Sequence, residues 1–286
     1  MSTLALVLVL TAAFLHAMWN YLLKRSGGGV GFVWLFGAFS TLIYAPLALG
    51  LVIWLKPQIG FIQIAFIFGS AVLHTVYFLL LDKGYRVGDL SLVYPLARGS
   101  GPLIAVVAAI FFLGERPSPL AVAGAIMIGI GVFTLTGDPR KLRQHGALHA
   151  VGFALLTGTV IAAYTIWDKV AVSTLLIPPL LQDWGNNLGR TFLMVPLAAR
   201  HSGKIRYAWN NFRKEVIMVA ILCPLSYIMI LSALAFTPVS YIAPSREISI
   251  LIAALMGSHF LAEGNLGRRM LAATAMVIGV IALTLG

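Results

Sequence analysis

Apolar residues run in blocks of about twenty along this chain, and the polar residues fall between the blocks. Ten blocks stand out, near residues 3–23, 31–55, 61–82, 90–113, 118–136, 147–168, 178–199, 215–235, 240–261 and 267–285. A helix rising 1.5 Å per residue needs about 20 such residues to cross the hydrocarbon of a bilayer. The alternation of polar and apolar positions that marks a barrel strand is absent, which leaves helices as the spanning element. The pattern predicts an all-α integral membrane protein with ten transmembrane helices. The connections are short. The two polar ones are Gly137 to Gly146 and the basic stretch Arg200 to Lys214, neither long enough to fold alone.

The second half repeats the first. At an offset of 148 residues Leu103-Ile104-Ala105 falls on Leu251-Ile252-Ala253, Glu115 on Glu263, Gly131-Val132 on Gly279-Val280 and Arg98 on Arg246. The predicted organisation is a first five-helix repeat over 1–136, a polar linker over 137–146 and a second five-helix repeat over 147–286. A unit with an odd number of spans, inserted twice, faces opposite ways in the bilayer. Inverted repeats of this kind build carriers with a binding site between the halves near the midplane.

Composition supports the membrane reading. Apolar residues make up 60% of the 286 residues and charged ones 10%, against about 45–50% and 25% in soluble domains. The net charge of +11 suggests orientation rather than nucleic acid, because the basic residues lie in short loops. After the odd-numbered spans come Lys24, Arg25, Lys83, Arg86, Arg140, Lys141, Arg143, Arg200, Lys204, Arg206, Arg213, Lys214, Arg268 and Arg269. The opposite side has Lys56, Arg116 and Lys169. The positive-inside rule puts the rich side in the cytoplasm and both termini outside. Ser2 to Leu23 reads as a first span and not a signal peptide, since no basic segment precedes it. A single Cys223 allows no intrachain disulfide.

Three features occur in both halves. The first span ends Trp19-Asn20-Tyr21-Leu22-Leu23-Lys24 and the sixth Tyr164-Thr165-Ile166-Trp167-Asp168-Lys169. The fourth closes with Leu113-Gly114-Glu115-Arg116 and the ninth with Leu261-Ala262-Glu263-Gly264. Each closing motif is followed by a span rich in small residues, with Ala125 and Gly129 in one and Ala275 and Gly279 in the other. In this order and double occurrence the chain resembles the ten-span members of the drug/metabolite transporter superfamily, in the EamA family. The resemblance implies secondary transport of small metabolites, usually export, in a cell (inner) membrane, with no enzymatic step and with both termini cytoplasmic. That orientation is opposite to the one the loop charges give. The small-residue pairs allow close helix packing, either within the chain or as a homodimer seam.

Charges inside spans are costly and mark candidate sites. Arg98 and Arg246 each lie roughly 10 Å into their span and enter from opposite faces. Such a guanidinium pair suits a carboxylate, phosphate or phosphonate. Pro95 and Pro244 precede them and loosen the helix. Snorkelling or pairing with an acid, Glu247 for Arg246, is the structural alternative. His16, Trp19 and Asn20 share one turn of span one, and His74 and Tyr77 lie three apart in span three. Each histidine is a proton relay or a packing residue. Asp183, Trp184, Asn186, Asn187 and Arg190 make the start of span seven polar, so that it lines a cavity or begins nearer Leu188. Tyr94 and Tyr164 are cage aromatics or interface anchors. The candidate substrate-binding set is Arg98, Arg246, Trp19, Asn20, His16, Tyr94, His74, Tyr77, Tyr164, Trp184 and Asn187.

Phosphate-loop, zincin and nucleophile-elbow motifs are absent, as is any Cys/His cluster for a metal. No cofactor is expected. The expected partners are a small metabolite, membrane lipids and a coupling proton or counter-solute. The favoured substrate is an organic anion or zwitterion such as an amino acid, carboxylate or phosphonate. An organic cation held by aromatics is the runner-up, and a membrane enzyme or interaction protein is the reading from another class. Cysteines placed between Arg200 and Lys214 are expected to be shielded from an impermeant thiol reagent in whole cells and to label after permeabilisation; labelling in intact cells would reverse the orientation drawn from the charges.

Overall fold

The computed structural model describes residues 1–87, 90–136, 147–253 and 266–286. The linker 137–146, the end of the ninth predicted span and Glu263 lie outside them. The elements are α1 (Thr3–Arg25), α2 (Val30–Leu55), α3 (Phe61–Val87), α4 (Leu90–Leu113), α5 (Pro119–Thr136), α6 (Ala147–Ser173), α7 (Pro179–Leu193), α8 (Val195–Ala199), α9 (Ser202–Phe236), α10 (Val239–Ser245), α11 (described over 248–253) and α12 (Leu266–Leu285). No strand occurs among the described residues.

Six of these helices are long and apolar enough to cross a bilayer: α1, α2, α6 and α9, with most of α3 and α4. Pro119–Thr134 and Met270–Leu285 are apolar but shorter. The outward face is apolar too, with Trp54 and Phe61 each 86% exposed and Phe112 81% exposed. Water would not tolerate such a belt on a soluble monomer. The chain is a multi-pass membrane protein.

Two predicted boundaries are corrected. The seventh span is broken at Met194 into α7 and the five-residue α8; Pro196, with no N–H, cannot supply the next helical hydrogen bond. The basic stretch Arg200 to Lys214, read as a connection, is helical from Ser202 and joins the eighth span across a kink at Phe212 (φ −135°, ψ 30°). Its apolar face explains this. Ala208 is buried, and Trp209 stacks flat on Phe39 with ring centroids 4.9 Å apart.

Small residues set the tightest seams. α5 and α12 run antiparallel, and a Cβ built on Gly279 would lie 2.7 Å from the Gly124 carbonyl oxygen. Gly131 meets Ala272 and Met276 farther along the same seam. Gly129 packs on Leu103 of α4. The small residues of α5 are therefore used inside the chain. α4 lies beside α6 in the same direction, with Gly158 against Ala97, Ser100 and Gly101. α1 packs on α9, α3 on α6 and α7, and α2 on α9 and α7. The Met1 amino group donates to the Thr284 carbonyl at 3.4 Å, so the two ends of the chain lie on one face.

Gly279→Val is expected to force α5 and α12 apart, costing about 1–3 kcal/mol as overpacking. A lowered melting temperature in detergent checks this; an unchanged melt would mean the seam gives way at no cost.

Candidate functional site

Nine of the predicted site residues line one central cavity of about 340 Å³: Arg98, Arg246, His16, Trp19, Asn20, His74, Tyr77, Tyr164 and Asn187. The cavity reaches from Ala12 and Ile230 inside the bundle to Gly29, Leu81 and Asp82 at helix ends. Its mouth is thus the basic-rich face. The opposite end is held shut by side chains bonded to helix ends. Glu115 accepts from the Val239 N–H at 2.7 Å, and from the Ser240 N–H and hydroxyl at 2.9 and 2.6 Å. Lys169 Nζ donates to the Leu234 and Thr237 carbonyls at 2.7 and 3.2 Å, at the end of α9.

The walls divide by chemistry. On one side, His74 of α3 stacks on Tyr164 of α6 (centroids 4.2 Å apart, 28° between planes) and meets Tyr227 of α9 edge-on at 5.4 Å. Tyr77, one turn from His74, meets Tyr164 edge-on at 5.9 Å. His74 Nδ1 lies 2.9 Å from the Ser70 carbonyl, which fixes the ring. On the α1 side, His16 and Trp19 are in edge contact at 4.7 Å, and Asn20 Nδ2 donates to the His16 carbonyl at 2.8 Å.

α7 supplies a polar stripe. Asp183, Asn186, Asn187 and Arg190 recur at the i, i+3, i+4, i+7 spacing of one helix face, and all four line the cavity. Asn187 Nδ2 donates to Asp183 Oδ2 at 3.0 Å, and Arg190 Nη2 donates to Asn187 Oδ1 at 2.7 Å. The helix begins at Pro179, so the polar residues belong to it and face inward. Trp184 is a correction. One residue from Asp183, it points about 100° away, donates Nε1 to the Thr41 carbonyl at 3.0 Å and packs beside Leu181 outside the cavity. The Tyr94 side chain lies outside the described residues.

The two arginines differ in state. Arg98 is 6% exposed, and its Nε lies 3.1 Å from Oε2 of Glu247, itself 4% exposed. Glu247, expected beside Arg246, is thus paired with the arginine of the other half. Arg246 sits where the helix breaks. α10 ends at Ser245, Arg246 and Glu247 form a turn, and helix resumes at residue 248. The Glu247 N–H donates to the Pro244 carbonyl at 3.0 Å, which closes that turn. The Arg246 guanidinium lies over the Tyr227 ring at 5.6 Å. Among the described residues no carboxylate reaches it within salt-bridge distance.

The candidate set omitted Asp183, Asn186, Arg190 and Tyr227. The first three were legible as one helix face. Tyr227 carried no signal beyond being aromatic. The described residues hold no group of three or more His, Cys, Asp or Glu arranged for a metal ion.

Residues 3–137 match the EamA-like transporter family. The match covers a little under half of the chain and makes this part similar to an EamA-like transporter domain. A protein known from its crystal structure superposes on this chain with a TM-score of 0.77, at 16% identity, over 100% of this chain and 98% of that one. That likeness concerns the fold alone. No curated protein matches the sequence.

Arg98→Gln would leave Glu247 as a buried unpaired charge, at a cost of about 3–5 kcal/mol. The expected result is a marked loss of thermal stability in detergent. Adding Glu247→Gln is expected to restore part of it; a double variant no more stable than the single would mean the pair is not the cause.

Proposed function

We propose that the protein is a secondary carrier that moves a small organic zwitterion or anion through the central cavity, with export as the direction the family resemblance implies. The amino acids, carboxylates and phosphonates are the substrate classes that fit. The observation that carries this reading is Arg246, a guanidinium in a helix break, turned to the cavity and without a carboxylate among the described residues. A carboxylate or phosphonate would supply the bidentate partner it lacks. Trp19 Nε1 and Asn186 Oδ1, at the cavity wall, also have no hydrogen-bond partner among the described residues. The carboxylate of Asp183 and the faces of Tyr77 and Tyr164 suit a substrate ammonium, which favours a zwitterion over a simple anion.

The same proposal includes ten spans in two inverted repeats, 1–136 and 147–286. Several observations support it. The starts of α4 and α5, Leu90 and Pro119, recur near an offset of 148 as the starts of α10 and α12, Val239 and Leu266. Two of the main packings are preserved when the halves are exchanged: α1 on α9 becomes α6 on α3, and α2 on α9 becomes α7 on α3. The antiparallel α5–α12 seam maps onto itself, with Gly124 against Gly279 mirrored by Gly131 against Ala272. The family match ends at residue 137, where the first unit would end. Both termini on one face require an even number of crossings.

The test is counterflow in proteoliposomes with labelled amino acids, dicarboxylates and phosphonates, with Arg246 variants beside the parent. Arg246→Lys keeps the charge and loses the fork. A lost charge-assisted hydrogen bond is worth roughly 1.5–3 kcal/mol, or about ten- to a hundred-fold in affinity. Weakening of that size in Arg246→Lys, and a greater loss in Arg246→Gln, are expected. Equal affinity in all three would remove Arg246 from the binding site, and transport of cations alone would overturn the anionic recognition.

A further inference from the structure

Asp168 is fully buried, yet the substrate reading makes no use of it. It lies near the end of α6, behind the cavity wall. Its Oδ2 accepts from the Tyr227 hydroxyl at 2.5 Å, and its Oδ1 from Gln182 Nε2 at 2.9 Å. Both donors are neutral. The adjoining cation, Lys169, is engaged elsewhere, with its Nζ on the carbonyls of Leu234 and Thr237. Among the described residues no cation pairs with Asp168. A carboxylate removed from water inside a membrane protein needs a compensating charge or a proton.

Tyr227 joins this carboxylate to the substrate site. Its hydroxyl is on Asp168 and its ring lies under the Arg246 guanidinium. Arg246 and Asp168, opposite in charge, thus share one tyrosine. A substrate carboxylate on Arg246 would neutralise the cation on that tyrosine and leave the Asp168 carboxylate without it. The ion small enough to replace the lost charge in so closed a space is a proton.

We propose that Asp168 is the binding site of a coupling proton, taken up together with the substrate's anionic group. This rests on the carrier reading above. The proton reaches Asp168 through Tyr227, whose side chain lines the cavity. The Tyr227 O–H bond breaks as an O–H bond forms on Asp168 Oδ2, and the phenolic oxygen takes a proton from cavity water. Gln182 fits both states, because its Nε2 can go on donating to Oδ1, which accepts whether or not Oδ2 carries the proton. The charged and titratable groups facing this site from neighbouring helices are His74 of α3, Asp183 and Arg190 of α7, and Arg246 after α10; Tyr164 and Tyr227 complete it. Substrate and proton then travel in the same direction, so an inward proton gradient drives uptake, opposite to the export that the family resemblance implies.

The experiment uses the full-length protein in proteoliposomes loaded with a pH-sensitive dye and given labelled substrate from the class that passes the counterflow test. The parent is expected to move protons with substrate. An imposed step of about 2 pH units should drive accumulation of up to about a hundred-fold. Asp168→Asn, which keeps the shape and an acceptor for Tyr227, is expected to retain counterflow and to lose both dye response and pH-driven accumulation. Counterflow in the parent without proton movement would overturn the proposal and leave the carrier reading standing. So would coupling that survives in Asp168→Asn and disappears in His74→Gln, which would put the proton on the histidine. Failure of counterflow in the parent would overturn the carrier reading itself. Should Asp168→Asn fail to fold, the dye response of the parent alone still decides whether a proton is coupled.

Discussion

Hydrocarbon offers no partner to a charge, and the interior of this protein is arranged around that constraint. Its spans carry Arg98, Asp168, Asp183, Arg190, Arg246 and Glu247, and all are turned to the middle of the bundle or sealed behind it. A guanidinium facing lipid at such depth would cost at least about 2.5–3.5 kcal/mol. Apolar side chains such as Trp54, Phe61 and Phe112 take the outer surface instead. With the lipid face apolar and the charges inside, the helices must surround a polar centre. The small residues that bring α4 to α6 and α5 to α12 close the wall around it.

The inward charges do two different jobs. Arg98 and Glu247 compensate each other and join α4 to the segment after α10, that is, one half of the chain to the other. Such a pair holds an arrangement in place and leaves little charge for a ligand. Arg246 has no such partner among the described residues: Glu247 points toward Arg98 and Arg246 toward Tyr227. Neighbours in sequence do not face one another at helical dihedrals, which Arg246 keeps (φ −59°, ψ −28°). The acid next to it thus serves Arg98 and leaves the Arg246 guanidinium to the cavity.

Much of this was legible in the sequence. Block lengths located the six long apolar helices, because bilayer thickness fixes how many apolar residues a helix needs. The cost of intramembrane charge picked out Arg98 and Arg246, and helical spacing grouped His16, Trp19 and Asn20. Pairing between distant elements was not legible. Glu247 offers itself in sequence as an acid for its neighbour Arg246, but sequence shows adjacency and not which way each side chain points. Trp184 was grouped with Asp183 for nearness in sequence, although one helical step turns it toward Thr41. The helix over Arg200 to Lys214 was hidden by its charge, because block hydropathy does not register a narrow apolar face such as Ala208 and Trp209.

The two ends of the cavity are built from different materials. At the mouth, Leu23, Leu81 and Asp82 lie at helix ends that do not close over the opening. At the shut end, Glu115 holds the start of α10, and Lys169 holds the end of α9. A carrier that alternates its access must release these hydrogen bonds and close the mouth at comparable cost, or it would rest in one state. Side chains bonded to exposed helix ends suit that exchange. They are strong in a dry interface, where the backbone groups have no other partner, and much weaker once water enters and supplies one. The shut end is therefore stable only while it stays dry. Water entering there weakens Glu115 and Lys169 together, so that end opens as a unit.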